Sequence, residues 1–127
     1  MPAVDSLGQV QFVALTTFRQ SGAPVATTVW VVRDGDSLVV TTTRGSGKVK
    51  RLRRDSRIEL RPSGRRRFRT DDNYLATGRA QIVEDADEVR RCHREFQSKY
   101  GLQFRIAMLI ERFADERERV LLRIKLD

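Results

Sequence analysis

Asp34-Gly35-Asp36 lies between two stretches rich in β-branched residues, Pro24 to Val32 and Ser37 to Thr43. Asp-Gly supplies positive φ at little steric cost, and a turn this short joins only antiparallel neighbours. A third stretch, Gln9 to Arg19, precedes them across the turn Gln20-Ser21-Gly22-Ala23. Val10, Phe12, Ala14, Thr16 and Phe18 alternate along it and predict its apolar face. Three consecutive strands joined by tight turns predict a mainly antiparallel sheet, whatever follows.

The third strand ends in hydroxyls and runs into Thr41-Thr42-Thr43-Arg44-Gly45-Ser46-Gly47-Lys48. This reads as strand, glycine-rich turn and short basic helix. Positive φ at Gly45 and Gly47 is expected to bare successive backbone N–H groups. A helix beginning near Lys48 points its free N–H groups and positive dipole end at the same place. With the Ser46 hydroxyl and the Lys48 charge, the chemistry suits one phosphate. Gly-Ser-Gly is equally the composition of an ordinary loop. The spacing is not that of a nucleotide-hydrolysing P-loop, because Thr42 stands at the first glycine position and Val49 at the magnesium-binding hydroxyl. A phosphate bound here therefore belongs to a cofactor rather than to a transferring group.

Beyond the turn, Val49 and Leu52 give the helix one apolar edge among Arg51, Arg53 and Arg54. Arg57 to Pro62 is predicted as the fourth strand, with Ile58 and Leu60 as its apolar face. Residues 63–72, with Arg65-Arg66-Arg67, read as a polar, basic, mobile loop, and Tyr74 to Val83 as a fifth strand interrupted by Gly78. Glu84 to Tyr100 is the clearest helix. It is capped by Asp85 or Asp87 and stopped by Gly101, with Val89, His93, Phe96 and Tyr100 on its inner face. Residues 2–8 suggest a helical turn, residues 104–114 are ambiguous with a second short helix, and Arg119 to Leu126 alternates as the last strand. The expected architecture is mainly β (α+β): six antiparallel strands curled into a small barrel, with two or three flanking helices.

A chain of 127 residues holds one domain, residues 1–127, around one core. No secretory signal is visible, and no apolar run approaches the ~18 residues of a membrane span. Cys92 is the only cysteine and His93 the only histidine. That fits a reducing cytoplasm and argues against a metal cluster or a Ser-His-Asp triad. Neighbours on a helix point about 100° apart, so the two form no dyad. Asp71-Asp72, adjacent in a polar loop, reads as a solvated pair. Of the net charge of +8, residues 44–70 carry twelve Lys/Arg against only Asp55 and Glu59. The excess points to an anionic partner there: a phosphorylated cofactor, a carboxylate-rich ligand or nucleic acid. That segment has a single aromatic, Phe68, which disfavours single-strand nucleic acid.

Three segments, in order, resemble the split β-barrel flavin and deazaflavin oxidoreductases of the pyridoxamine 5'-phosphate oxidase-like superfamily. They are Thr16 to Trp30, Ser46 to Arg57, and Ala76-Thr77-Gly78-Arg79-Ala80 with the acidic residues after it. The likeness is greatest to the branch that uses coenzyme F420. It implies an FMN-binding-type split barrel, a homodimer and cofactor sites at the subunit interface. By that resemblance Thr27, Thr28, Val29 and Trp30 line the ring system. Thr42, Thr43, Ser46, Gly47 and Lys48 hold the ribityl chain and phosphate, and Arg51 and Arg54 meet the acidic tail of F420. The implied activity is hydride transfer from reduced deazaflavin to a small conjugated organic substrate, with binding, orientation and water exclusion left to the protein. No catalytic side chain stands out. FMN on the same fold, cofactor storage without turnover, and nucleic-acid binding are the alternatives. Larger members continue past the last strand, so substrate contacts from such a tail are not expected here.

Overall fold

The computed structural model describes residues 7–8, 10, 12–63, 75–106 and 119–127. Its strands are β1 (Phe12–Phe18), β2 (Pro24–Asp34), β3 (Ser37–Thr43), β4 (Arg57–Ser63), β5 (Ala76–Val83) and β6 (Arg119–Leu126). They close into an antiparallel barrel in the order β1-β2-β3-β6-β5-β4, with β4 pairing back onto β1. Positive φ at Gly22 and Gly35 makes the first two hairpins possible. Closure is incomplete along the β2–β3 seam, where pairing is confined to Val31–Asp34 and Ser37–Val40. Helix α1 (Gly47–Arg54) follows β3, and helix α2 (Ala86–Tyr100) follows β5. Residues 102–106 are again helical. Among the described residues, no helix is long and apolar enough to cross a membrane and no His/Cys/Asp/Glu group is placed to hold a metal.

Two apolar clusters hold the fold. The barrel interior is filled by Val13, Leu15, Val31, Leu38, Val40, Ile58, Leu60, Val120, Leu122 and Ile124, and closed by Val49 and Leu52 of α1. The second cluster lies outside the barrel wall. There α2 lays Val89, Cys92, Phe96 and Tyr100 over Val32, Val39, Val83 and Leu121, with Phe104 and Trp30 beside them. His93, expected on the inner face of α2, is half-buried at its flank, and Cys92 takes the inner position. Asp85 caps α2 by accepting the Glu88 N–H at 3.2 Å, and Gly101 ends it at φ 61°.

The face expected to be the apolar side of β1 is its outer one. Val13, Leu15 and Thr17 are buried inside the barrel, whereas Phe12, Ala14, Thr16 and Phe18 are half-buried. Both alternating sets are apolar enough to pass for a core face, and a one-residue shift of phase exchanges them. Gly78 does not interrupt β5. Its register with Leu126 is regular, and a Cβ there would stand 2.3 Å from the Lys125 carbonyl oxygen. The glycine lets two backbones approach closely. Most of the predicted turn at residues 2–8, the Arg65-Arg66-Arg67 loop, Asp71-Asp72 and residues 107–114 of the ambiguous segment lie outside the described residues.

Candidate functional site

The candidate site opens where two neighbouring strands part company. The β2–β3 ladder runs only from Asp34↔Ser37 to Val31↔Val40. Beyond it, the earlier half of β2 continues to pair with β1, and the end of β3 with β6. A cleft of about 330 Å³ lies between the diverging stretches. Thr28, Val29 and Trp30 line it from β2, and Thr41, Thr42 and Thr43 from β3. Two strand edges released from each other present backbone donors and acceptors that a ladder would otherwise consume. Phe12 adds an apolar wall from the outer face of β1.

The floor of the cleft is built for negative charge. Ser46 has extended backbone (φ −67°, ψ 156°) and caps α1, its Oγ accepting the Val49 N–H at 3.4 Å. The Thr42 and Ser46 hydroxyl oxygens are 3.3 Å apart. One hydroxyl hydrogen joins the pair, which leaves the second to be donated into the cleft. Lys48, in the first turn of α1, lines the same space, and no acidic residue occupies that turn to oppose an anion. The expected geometric source was wrong in one respect. Positive φ occurs at Gly22, Gly35 and Gly101, not at Gly45 or Gly47. The helix begins at Gly47 itself, so the backbone N–H groups left over at this turn are those of a helix N-terminus and not of left-handed glycines.

The second cation of the cleft comes from the far end of the sequence. Arg119 is registered against Thr43 on the β3–β6 ladder, so its side chain lies diagonal to that of Thr41 on the same face. Its Nη2 and Nε donate to Thr41 Oγ1 at 3.1 and 3.3 Å. His93 Nε2, reaching over from α2, is 3.0 Å from the same oxygen. Burial, with the Arg119 charge adding to it, pushes the His93 pKa down to about 4, so the imidazole is neutral at pH 7.

Trp30 belongs both to this cleft and to the α2 seam. Its ring stacks on Tyr100 at 5.0 Å and 14°, while its edge lines the cleft. Burial raises the Tyr100 pKa to about 12, and the protonated phenol bridges both backbone groups of Val31, accepting from its N–H at 3.0 Å and donating to its carbonyl at 2.8 Å. The seam thus fixes β2 at the residue where the ladder opens.

Of the residues expected from the sequence, Thr28, Val29, Trp30, Thr42, Thr43, Ser46 and Lys48 meet at the cleft. Thr27, registered opposite Leu15, does not line it. Gly47 lies under the Arg51 guanidinium, where a Cβ would come 2.9 Å from Nη1. Arg51 and Arg54 turn away to the end of β1: Arg51 Nε donates to the buried Thr17 hydroxyl at 2.6 Å, and Arg54 Nη2 to the Phe18 carbonyl at 3.1 Å. Burial, with Arg19 and Arg54 nearby, lowers the Arg51 pKa. Phe12, Thr41 and Arg119 were missed. Thr41 was legible in the hydroxyl run of β3, whereas Arg119 carries no local signal and arrives through β3–β6 register. Cys92 is buried, and desolvation raises its thiol pKa, the opposite of an activated nucleophile.

Several solved structures share this architecture. A conserved hypothetical protein from Mycobacterium tuberculosis superposes with a TM-score of 0.70 at 20% identity, covering 98% of this chain and 78% of that one. An F420 reductase gives 0.62 at 16% identity, covering 97% and 92%. The haem storage protein HutZ from Vibrio cholerae gives 0.69 at 12% identity, covering 99% and 79%. At these identities the likeness is one of fold. No curated protein sequence matches the chain. The sequence pattern described as pyridoxamine 5'-phosphate oxidase, however, matches residues 3–127. With that match spanning the strands, the parted β2–β3 ladder and the basic helix, the chain belongs to the pyridoxamine 5'-phosphate oxidase family.

Proposed function

We propose that the cleft binds a flavin-type cofactor carrying a phosphate, coenzyme F420 first and FMN as the alternative, and that the protein is an oxidoreductase acting on a small conjugated organic substrate. The observation that carries this reading is the pairing of two chemistries in one cleft. Parted strand edges suit the polar rim of a fused heterocycle. The Ser46 cap, the N-terminus of α1, Lys48 and Arg119 suit a phosphate.

When bound, reduced deazaflavin supplies a hydride to an electron-poor carbon. The chain's own part is positional. Ser46 and Lys48 fix the phosphate, Thr42 and Thr43 lie beside the linking chain, and Trp30 and Phe12 exclude water from the ring. The open side of the cleft fits completion by a second copy in a homodimer. The concentration of positive charge in residues 44–70 favours the more anionic F420 over FMN. Arg51 and Arg54 meet its tail only by releasing their bonds to β1. The fold shared with a haem storage protein lends no support to histidine ligation of haem, because the only histidine has Nε2 engaged with Thr41. A cytoplasmic location completes the proposal.

Trp30 is the only tryptophan and lines the cleft, so its fluorescence reports binding directly. Titration with F420 is expected to quench it with micromolar affinity, and FMN to bind more weakly. Lys48→Ala should weaken F420 by roughly 1.5–3 kcal/mol, the value of a charge-assisted bond to a buried phosphate. Tight FMN binding with weak F420 binding would assign a flavoprotein instead. Binding of neither ligand, or an unchanged affinity in Lys48→Ala, would remove the phosphate assignment.

A further inference from the structure

The Thr41 hydroxyl receives more attention than one hydroxyl ordinarily can. Arg119 donates to it through both Nε and Nη2, and His93 Nε2 approaches it at 3.0 Å. A hydroxyl has two lone pairs and one hydrogen. A guanidinium only donates, so Arg119 occupies the lone-pair side. With both guanidinium donors on that side, the hydrogen is left to point at His93, which accepts it when Nε2 carries no proton. In that arrangement the ring proton sits on Nδ1. The ring cannot readily turn away, because Phe96 and Phe104 meet it edge-on at 6.4 and 5.5 Å. Thr41 and Arg119 line the cleft, whereas His93 does not.

We propose that His93 is a positioning residue for the cleft: by accepting the Thr41 hydroxyl hydrogen, it turns that oxygen's lone pairs towards Arg119 and holds the guanidinium where it meets the anionic group of the ligand. The proposal rests on reading the cleft as a phosphate-bearing cofactor site. It assigns a task in the cleft to the one histidine, although that side chain touches no ligand. It also explains why a neutral imidazole is needed. A protonated ring would bring a further donor to an oxygen already facing two, and would set a second positive charge against Arg119.

Two measurements test the chain and the ligand separately. His93 is the only histidine, so ¹⁵N NMR of uniformly labelled protein reads its tautomer without assignment work. At pH 7 the Nδ1–H form is expected. An Nε2–H form overturns the proposal, whatever the cleft binds. The second measurement is affinity for F420, and for the same ribityl deazaflavin lacking the phosphate, by Trp30 fluorescence. His93→Leu and Thr41→Val should each weaken F420 roughly five- to tenfold, the value of one ordinary hydrogen bond. His93→Gln should stay within about twofold, because its amide oxygen accepts the same hydrogen. In an Arg119→Ala background, His93→Leu should add no further loss. The phosphate-free ligand should bind His93→Leu and His93→Gln like the wild type. Loss that persists without Arg119, or that is equal for the phosphate-free ligand, would reduce His93 to a packing residue and overturn the proposal. Should His93→Leu fail to fold, Thr41→Val makes the same deletion from the strand side. If the wild-type protein binds no F420, the cofactor reading falls together with the ligand half of this proposal, while the tautomer still decides whether the hydrogen-bond chain exists.

Discussion

His93 shows how a single residue ties stability to the same chemistry that shapes the cleft. In the unfolded chain an imidazole takes its proton near pH 6.5, whereas burial and the Arg119 charge delay this in the fold to about 4. Between those values the unfolded state binds more protons, so stability rises with pH across the window. The contribution is complete above about pH 7 and is lost as pH falls from 6.5 towards 4. The ring is only partly buried, so solvent screening reduces the full linkage value to on the order of 1–2 kcal/mol. Urea unfolding at pH 7 and pH 4.5 should therefore show wild-type protein losing this increment and His93→Gln not losing it. An equal loss in both would place the acid sensitivity elsewhere. Nothing in the sequence around His93 announces this role. Its neighbours Thr41 and Arg119 are 52 and 26 residues away, and only the barrel brings them to one oxygen. Gly78 was legible at the same scale as an anomaly within a strand. Its reason, the Lys125 carbonyl 2.3 Å from where a Cβ would sit, is a contact from another strand.

Elements were legible where a local signal at each end bounded them. The bounds of Ser37–Thr43 follow from a β-branched run between the Asp-Gly-Asp turn and the glycine-rich turn, those of Arg119–Leu126 from alternation, and α2 from its Asp85 cap and Gly101 stop. The phase of β1 was not legible. Phe12, Ala14, Thr16 and Phe18 make as convincing an apolar row as Val13, Leu15 and Thr17, and only the pairing to β2 and β4 decides between them. The cleft was legible in part for the same reason. Thr28 to Trp30 and Thr42 to Lys48 are contiguous runs, whereas Phe12 and Arg119 join them through pairing. The two helix caps separate stability from function at this scale. Asp85→Ala and Ser46→Ala each remove one cap and should each lower unfolding free energy by about 1 kcal/mol. Ser46 also faces the cleft, so only Ser46→Ala should weaken F420 as well. Denaturation midpoints and Trp30 titrations on the two variants check this. Equal affinities would confine Ser46 to capping.

At the scale of the whole molecule, the barrel and the α2 seam are two cores sharing one wall. The interior cluster is enclosed by six strands paired in a ring, and the seam cluster rests on the outer faces of β2, β3, β5 and β6. Phe96 is fully buried at the centre of the seam, stacked 5.6 Å from Phe104 and 6.1 Å from Tyr100. Phe96→Ala should remove about 3–5 kcal/mol, a large share of the stability a domain of this size possesses. That loss should not be spread evenly. The barrel retains its interior side chains and its closed ladders, so the weakened unit is the helix lying on it. Native-state hydrogen exchange should accordingly rise more for amides of α2 than for those of the β3–β6 ladder. Trp30, released from the Tyr100 stack, should shift its emission to the red while the protein remains folded. The consequence reaches the cleft, because Tyr100 holds Val31 where β2 and β3 part, and His93 rides on the same helix. Phe96→Ala should thus weaken F420 without touching the cleft. If exchange rises equally in helix and ladder, seam and barrel unfold as one unit, and the helix is no separate weak point of the fold.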